Sequence, residues 1–364
     1  MIKKAIISGG GTGGHIFPAI AIADRIKKEC PDADILFIGA EGKMEMEKVP
    51  AAGYKIIGLP IRGFQRKFDL SNFILPFRLV ASLWKARNII KSFQPNVVIG
   101  VGGYASGPTL QIASMLRIPT IVQEQNSFAG KTNIILGKKV SAVCVAYDGM
   151  EKFFPKEKIV ITGNPVRRDM ITIEGKREEA INYFQLDPTK KTILVVGGSL
   201  GARSLNEAVI NNLEKIDNTE NVQLIWQCGK VAEIPSQEAI RKSKSKNVHL
   251  HTFISRMDLA YAAADLVISR AGAIAVSELC AVGKPTILVP SPYVAEDHQT
   301  KNALALVEKE AAILVEDKNA NELFNTAFSL LKDDTRLHEL QENCKKLGIS
   351  DADERIVATI KNIL

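Results

Sequence analysis

The sequence predicts an α/β chain of two doubly wound parallel sheets, and three observations predict it. Short Val- and Ile-rich runs alternate with longer amphipathic stretches, the pattern of parallel strands covered by helices on both faces. Glycine-rich turns follow several of these runs directly, so that "AIISGGGTGGHIFPAIAIAD" and "TILVVGGSLGARSLNEAVIN" both read as strand, turn, helix. The length of 364 residues suits two domains of roughly 150–200 residues better than one core.

Taken in order, "KKAIIS", "DILFIG", "YKIIGLPI", "NVVIGVGG", "PTIVQEQ", "AVCVAY" and "KIVITGNP" read as strands of a first domain, residues 1–163. The runs "KTILVVGGS", "VQLIWQCG", "VHLHTF", "DLVISRAG" and "PTILVP" read as strands of a second, residues 164–349. The boundary falls near "TGNPVRRDM", where Gly, Pro and a pair of charges follow a strand. The tail "DADERIVATIKNIL", from about residue 350 to 364, reads as a helix that packs back on the first domain. Pro18 is expected in the first turn of the opening helix, where a missing N–H costs little.

Composition narrows the class. The five cysteines are scattered without a C-x-x-C pair, which points to buried reduced thiols. No apolar stretch reaches the roughly 18 residues a membrane span needs. "MIKKAIISGG" turns to glycine before a signal-peptide core forms, so a cytoplasmic chain is expected. A net charge of +7 favours an anionic partner: a nucleotide, a phospholipid surface or a nucleic acid.

The glycine turns carry the chemistry. Gly9 to Gly14 stand between a strand and a helix start, where unpaired N–H groups and the helix dipole favour an anion. Gly9, Gly11 and Gly14 also match G-x-G-x-x-G, with Glu41 after the next strand as a ribose ligand, so a dinucleotide fold is a rival reading. Glycines that only permit tight strand–helix packing are a plainer one. Two further turns, "GVGGYASGP" and "GGSLGARSLNE", weigh against the dinucleotide reading. Turns at strand ends in two domains suit a cleft lined from both sides, as in a nucleotide-sugar transferase.

The ordered motifs "GGGTGGH", "GVGGYASGP", "QEQNSFAGKTN", "GNPVR", "GGSLGARSLNE", "SRAGAIAVSELCAVGKPTILVPSP" and "EDHQTKNA" resemble those of the MurG family, over about residues 5 to 315. The resemblance implies a GT-B fold, two Rossmann-like domains facing across a cleft. It implies transfer of N-acetylglucosamine, with inversion, from UDP-N-acetylglucosamine to the muramyl 4-hydroxyl of undecaprenyl-diphosphoryl-N-acetylmuramyl-pentapeptide (lipid I), giving lipid II. It also implies cell-wall synthesis or division proteins as partners, and the cytoplasmic face of the inner membrane as the place of work.

Site residues follow from the residues and the resemblance together. His15, a titratable ring at a helix start, is a candidate general base or the group that positions it; a helix cap is the plainer reading. Glu124 is the rival base. Thr12, Gly13 and Gly14 match the family's contact triplet, and Asn126 its donor-sugar amide. Arg167 is placed to clamp diphosphate, and Ser199 to bond a donor phosphate. Ile254 matches a backbone contact to uracil. Ala273 joins the substrate-binding set at the helix start in "RAGAIAVSEL"; Glu278 offers two acceptor oxygens to ribose, and Gln299 matches a sugar contact. The two "DAD" tripeptides lie far from the glycine turns and read as surface turns, so neither cofactor nor essential metal is expected.

One segment stands apart. Arg62, Arg66, Lys67, Arg78, Lys85, Arg87 and Lys91 face a single acid, Asp69, with Phe68, Phe73, Ile74, Phe77 and Trp84 interleaved. Cations beside aromatics suit the headgroup region of an anionic membrane; an amphipathic helix packed on the sheet is the plainer alternative. Nucleic acid would leave the glycine turns without a role. Rival functions are a glycolipid synthase of the same fold, a UDP-N-acetylglucosamine 2-epimerase, and a non-catalytic nucleotide-sugar binder.

Overall fold

The computed structural model describes residues 1–62, 75–198 and 200–364. The chain divides into one unit of Met1–Val166 with Asp351–Leu364, and a second of Arg167–Ser350.

The first unit holds a seven-stranded parallel sheet. Its strands are β1 (Lys4–Gly9), β2 (Asp34–Ala40), β3 (Lys55–Leu59), β4 (Val97–Gly102), β5 (Thr120–Glu124), β6 (Ala142–Val145) and β7 (Ile159–Ile161), in the order β3-β2-β1-β4-β5-β6-β7. β1 is central, pairing Ser8 with Ile38 on one side and with Gly100 on the other. The order reverses between β1 and β4, so the crevice at the carboxyl ends of those two strands is where such a sheet takes a ligand.

Each face of this sheet is buried. The strands do not alternate apolar with polar residues, because both faces are covered: Ile7, Ile99 and Ile121 pack with Ile22 and Ile26 of the helix Gly13–Glu29, while Ile6, Val98 and Val122 pack on the other side. The terminal helix Ala352–Asn362 adds Ile356, Val357 and Ile360 to the first of these clusters. Each such fully buried aliphatic contributes roughly 1.5–3 kcal/mol. Ion pairs of Lys361 with Glu29 at 2.5 Å and of Glu354 with Arg25 at 2.9 Å flank that contact.

The second unit repeats the plan with six parallel strands: β8 (Lys191–Val196), β9 (Val222–Gln227), β10 (Val248–His251), β11 (Leu266–Ser269), β12 (Thr286–Leu288) and β13 (Ile313–Leu314), in the order β10-β9-β8-β11-β12-β13. β13 is not read from the sequence: two residues give no alternation to detect. Its core includes Trp226, fully buried, whose Nε1 donates to Asn206 at 3.0 Å.

Pro18 differs from expectation. It lies in the second turn of the helix Gly13–Glu29 and is buried, so the Gly14 carbonyl four residues earlier loses its helical donor. Among the described residues no helix is long and apolar enough to cross a membrane.

Candidate active site

In the second unit, the carboxyl ends of β8, β9 and β11 surround a cavity of about 860 Å³, within the range of nucleotide-sized pockets. The turn after β8 forms one wall. Gly201 has φ +82°, and a Cβ there would stand 1.9 Å from the Cys228 carbonyl oxygen, so only glycine fits. Gln227, the last residue of β9, joins two loops: its Nε2 donates to the Gly198 carbonyl at 2.9 Å, and its Oε1 accepts the Ile254 N–H at 2.8 Å. Ile254 is buried and lines the cavity, with that N–H already taken.

Arg270, just past β11, ties the opposite wall together. Its guanidinium donates to the Val289 carbonyl at 2.9 Å, to Ser204 Oγ at 2.8 Å and to Asp317 Oδ1 at 2.5 Å. Ser204, which also bonds Asp317, sits in the first turn of the helix Arg203–Asn211. A forked cation thereby fixes the helix whose N-terminus opens on the cavity. Neither Arg270 nor Asp317 is among the sequence candidates, because their partnership spans distant parts of the chain.

Glu278 also lines the cavity, on the helix Ala273–Val282. Burial pushes its carboxyl up to about 7; the Tyr261 hydrogen bond (3.2 Å) and the Arg167 charge pull it down, and Asp169 pushes it up. Ala273 is the buried first residue of that helix, and its neighbours Gly272 and Ala275 line the cavity. Gln299 lines it too, with Oε1 accepting the Ser291 N–H at 2.9 Å. Arg167 is exposed, its Nη2 lying 3.6 Å from Asp169. Ser199 lies outside the described residues.

In the first unit, the turns after β1 and β4 interlock. A Cβ on Gly103, at φ +86°, would come 2.4 Å from the Gly10 carbonyl oxygen, and one on Gly102 would come 2.7 Å from His15 Cδ2. Ser106 Oγ bridges the Ser8 and Gly102 carbonyls at 2.7 and 2.9 Å. His15 Nδ1 lies 3.0 Å from the Gly10 carbonyl oxygen, which can only accept. In the neutral ring this carbonyl favours the proton on Nδ1 and the basic lone pair on Nε2; the Thr12 hydroxyl lies farther from the same nitrogen, at 3.4 Å. Thr12 caps the helix Gly13–Glu29 through its backbone carbonyl, which accepts from the His15 and Ile16 N–H groups at 3.1 Å each. Gly14 needs no close approach, since a Cβ there meets only Thr12 Oγ1 at 3.7 Å. The amides of this turn are not all bare: Gly11 N–H donates to Glu45 at 2.8 Å.

Glu124, the buried last residue of β5, accepts four N–H groups. They come from the Asn126 backbone (3.0 Å) and side chain (3.2 Å), the Gly130 backbone (3.1 Å) and the Asn133 side chain (2.8 Å). That geometry organises the loop bearing Asn126. Glu41 is exposed and paired with Lys85 at 2.8 Å.

The helix Leu75–Phe93 buries Ser82, Ala86 and Ile90, leaving Phe77, Val80 and Trp84 exposed at helical spacing on another face. Arg66, Lys67, Phe68, Asp69, Phe73 and Ile74 lie outside the described residues. Four cysteines are buried and Cys30 partly so, all as free thiols.

Residues 5–145 match the glycosyltransferase family 28 N-terminal domain, and residues 192–356 the C-terminal domain of the same family. A protein of Parabacteroides distasonis is 55% identical over 362 residues, 99% of this chain and 98% of its own; its name is UDP-N-acetylglucosamine–N-acetylmuramyl-(pentapeptide) pyrophosphoryl-undecaprenol N-acetylglucosamine transferase. A Bacteroides fragilis protein of the same name is 56% identical over 96% of this chain and 92% of its own. The crystal structure of Acinetobacter baumannii MurG superposes with a TM-score of 0.81 at 28% identity, covering 99% of each chain. The chain belongs to the MurG family within glycosyltransferase family 28.

Proposed function

We propose that this protein moves N-acetylglucosamine from UDP-N-acetylglucosamine to the 4-hydroxyl of the muramyl sugar in lipid I, forming lipid II for peptidoglycan. The observation that carries this reading is identity above half, over nearly the whole chain, to transferases named for that donor and acceptor.

The second unit holds the donor. Ile254 meets uracil through its backbone; because Gln227 takes its N–H, the carbonyl is the group that faces the base. Glu278, once ionised, accepts both ribose hydroxyls. The turn 197–201, with Ser199 and the N-terminus of the helix Arg203–Asn211, receives the diphosphate, and Arg167 adds positive charge. Gln299 and Ala273 contact the donor, and Asn126 the donor sugar.

The first unit presents the acceptor. Thr12, Gly13 and Gly14 meet the substrate at the helix start, and His15 Nε2 takes the proton of the attacking 4-hydroxyl. The oxygen attacks the anomeric carbon as the bond to UDP breaks, so a single displacement inverts that centre. Charge developing on the leaving diphosphate is met by the helix N-terminus and Arg167. Glu124 acts by holding Asn126, with His15 as the base.

The exposed face of Leu75–Phe93, with Arg78, Arg87 and Lys91, rests on anionic lipid at the cytoplasmic face of the inner membrane, where cell-wall synthesis and division proteins would be its partners. Each basic residue there is worth about 1 kcal/mol, which holds a protein weakly and reversibly. Flotation with anionic vesicles tests this: Trp84→Ala with Arg87→Glu should abolish it, and retained flotation contradicts it.

The activity is tested by UDP release from UDP-N-acetylglucosamine with a lipid-linked muramyl-pentapeptide acceptor. Equimolar UDP and disaccharide product are expected. Release with diacylglycerol alone, or none with the muramyl lipid, contradicts the reading.

A further inference from the structure

Beneath the first glycine turn lies a carboxyl group that the proposed reaction does not use. Glu45, in the first turn of the helix Glu45–Ala51, is only 1% exposed. Its Oε2 accepts the Gly11 N–H at 2.8 Å and its Oε1 the Ala40 N–H at 3.0 Å. The side chain reaches them between two glycines. A Cβ on Gly39 would stand 2.6 Å from Glu45 Cγ, and one on Gly10 would stand 2.2 Å from Glu45 Cδ. The strand β2 and the turn after β1 thus leave a slot that one acidic side chain fills.

One wall of that slot is the Gly10–Gly11 peptide, whose carbonyl meets His15. Gly10 offers its carbonyl to His15 Nδ1 at 3.0 Å, and Gly103 packs against the same carbonyl, where a Cβ would come 2.4 Å from the oxygen. The Gly10–Gly11 segment has no side chains to hold its shape, and glycine backbone is the most conformationally free. Its direction is set by what grips it: Glu45 on Gly11 N–H, and Gly103 against Gly10.

We infer that Glu45 is a positioning residue for His15. By fixing the Gly10–Gly11 segment it keeps the Gly10 carbonyl on Nδ1, and so keeps the imidazole in the tautomer with a basic Nε2. A carboxyl group suits the task because each of its two oxygens accepts one N–H. A glutamine has one acceptor oxygen, and its NH₂ would meet the second N–H donor to donor. The inference rests on His15 being the base, and the experiment separates the two claims.

The full chain is compared with Glu45→Gln and His15→Gln for kcat, for donor KM and for the long-range proton–nitrogen spectrum of the His15 ring. Glu45→Gln is expected to lower kcat about 10–100-fold, as loose positioning of a reacting group does. Donor KM should stay within about twofold, and the ring should change from a single Nδ1–H tautomer to a mixture. Should Glu45→Gln fail to fold, Gly39→Ala carries the same comparison, since its Cβ displaces the carboxyl without removing it. Parental kcat and a single tautomer in the variant that folds, beside an inactive His15→Gln, would overturn the positioning role. Parental turnover in His15→Gln would instead overturn the base assignment, and the inference with it.

Discussion

The first unit closes its glycine turns on its own atoms: Gly103 packs on the Gly10 carbonyl, the His15 ring lies on Gly102, and Glu45 takes the Gly11 amide. The second unit, with the same strand order about its central strand, opens its turns on a cavity of about 860 Å³ braced by Gln227 and Arg270. A glycine turn after a strand thus reports close approach to backbone, and not by itself what approaches. In the first unit the close neighbours include the His15 and Glu45 side chains; in the second, Gly201 is packed on the Cys228 carbonyl oxygen while Gly197 and Gly198 line the cavity.

The two units should differ most at His15. Replacing it with Gln should lower kcat by about 10²–10⁴-fold, the usual contribution of a general base, in a steady-state assay of UDP release. Next come the glycines. Gly103→Ala and Gly201→Ala each place a Cβ against a carbonyl oxygen at positive φ. Each should lose about 2–4 kcal/mol in denaturant unfolding, but only Gly201→Ala should also weaken UDP. Equal effects on UDP would erase the distinction between the units.

Glu278 sets the second unit apart through pH. Its carboxyl is pushed from an ordinary 4.5 up to about 7 by burial, so the folded protein holds a proton there that the unfolded chain has released. That stabilisation is complete below about 4.5 and is lost as pH rises through 7. Nucleotide binding runs the other way, because ribose hydroxyls need the ionised form. UDP affinity should rise between about pH 6 and 8, by at most tenfold per unit below the titration point, and Glu278→Gln should flatten that dependence. The smallest effect belongs to Thr12, whose side chain makes no capping hydrogen bond. Thr12→Ala should change stability by less than about 0.5 kcal/mol, measured by thermal unfolding, where a bonded cap would cost about 1.

Much of the fold is legible because parallel strands buried on both faces read as unbroken Val/Ile runs: "TILVV" and "NVVIG" announce β8 and β4 directly. β13 escapes, since two residues carry no period, and Pro18 is misplaced by one turn because the glycines hide where the helix begins. In the site, residues beside a motif are legible and residues that reach one from afar are not. His15 and Glu278 stand within or just after a glycine turn. Glu45 meets Gly11 from 34 residues away, and Arg270 meets Asp317 across 47. Glu45, within "GKMEMEKVP", is not among the sequence candidates, because its burial against β2 depends on Gly39 and Gly10, which the local sequence pattern does not connect to it. The upward push on Glu278 is likewise invisible, since it comes from burial.

The division of labour between the units is tested most directly by calorimetric titration of UDP into the parent, His15→Gln and Glu278→Gln proteins at one pH above about 7.5, where the Glu278 carboxyl is ionised. The account predicts that His15→Gln binds UDP within about twofold of the parent, while Glu278→Gln binds about 10–100-fold more weakly, the loss expected for hydrogen bonds to a charged group. Loss of UDP affinity in His15→Gln, or parental affinity in Glu278→Gln, would contradict it.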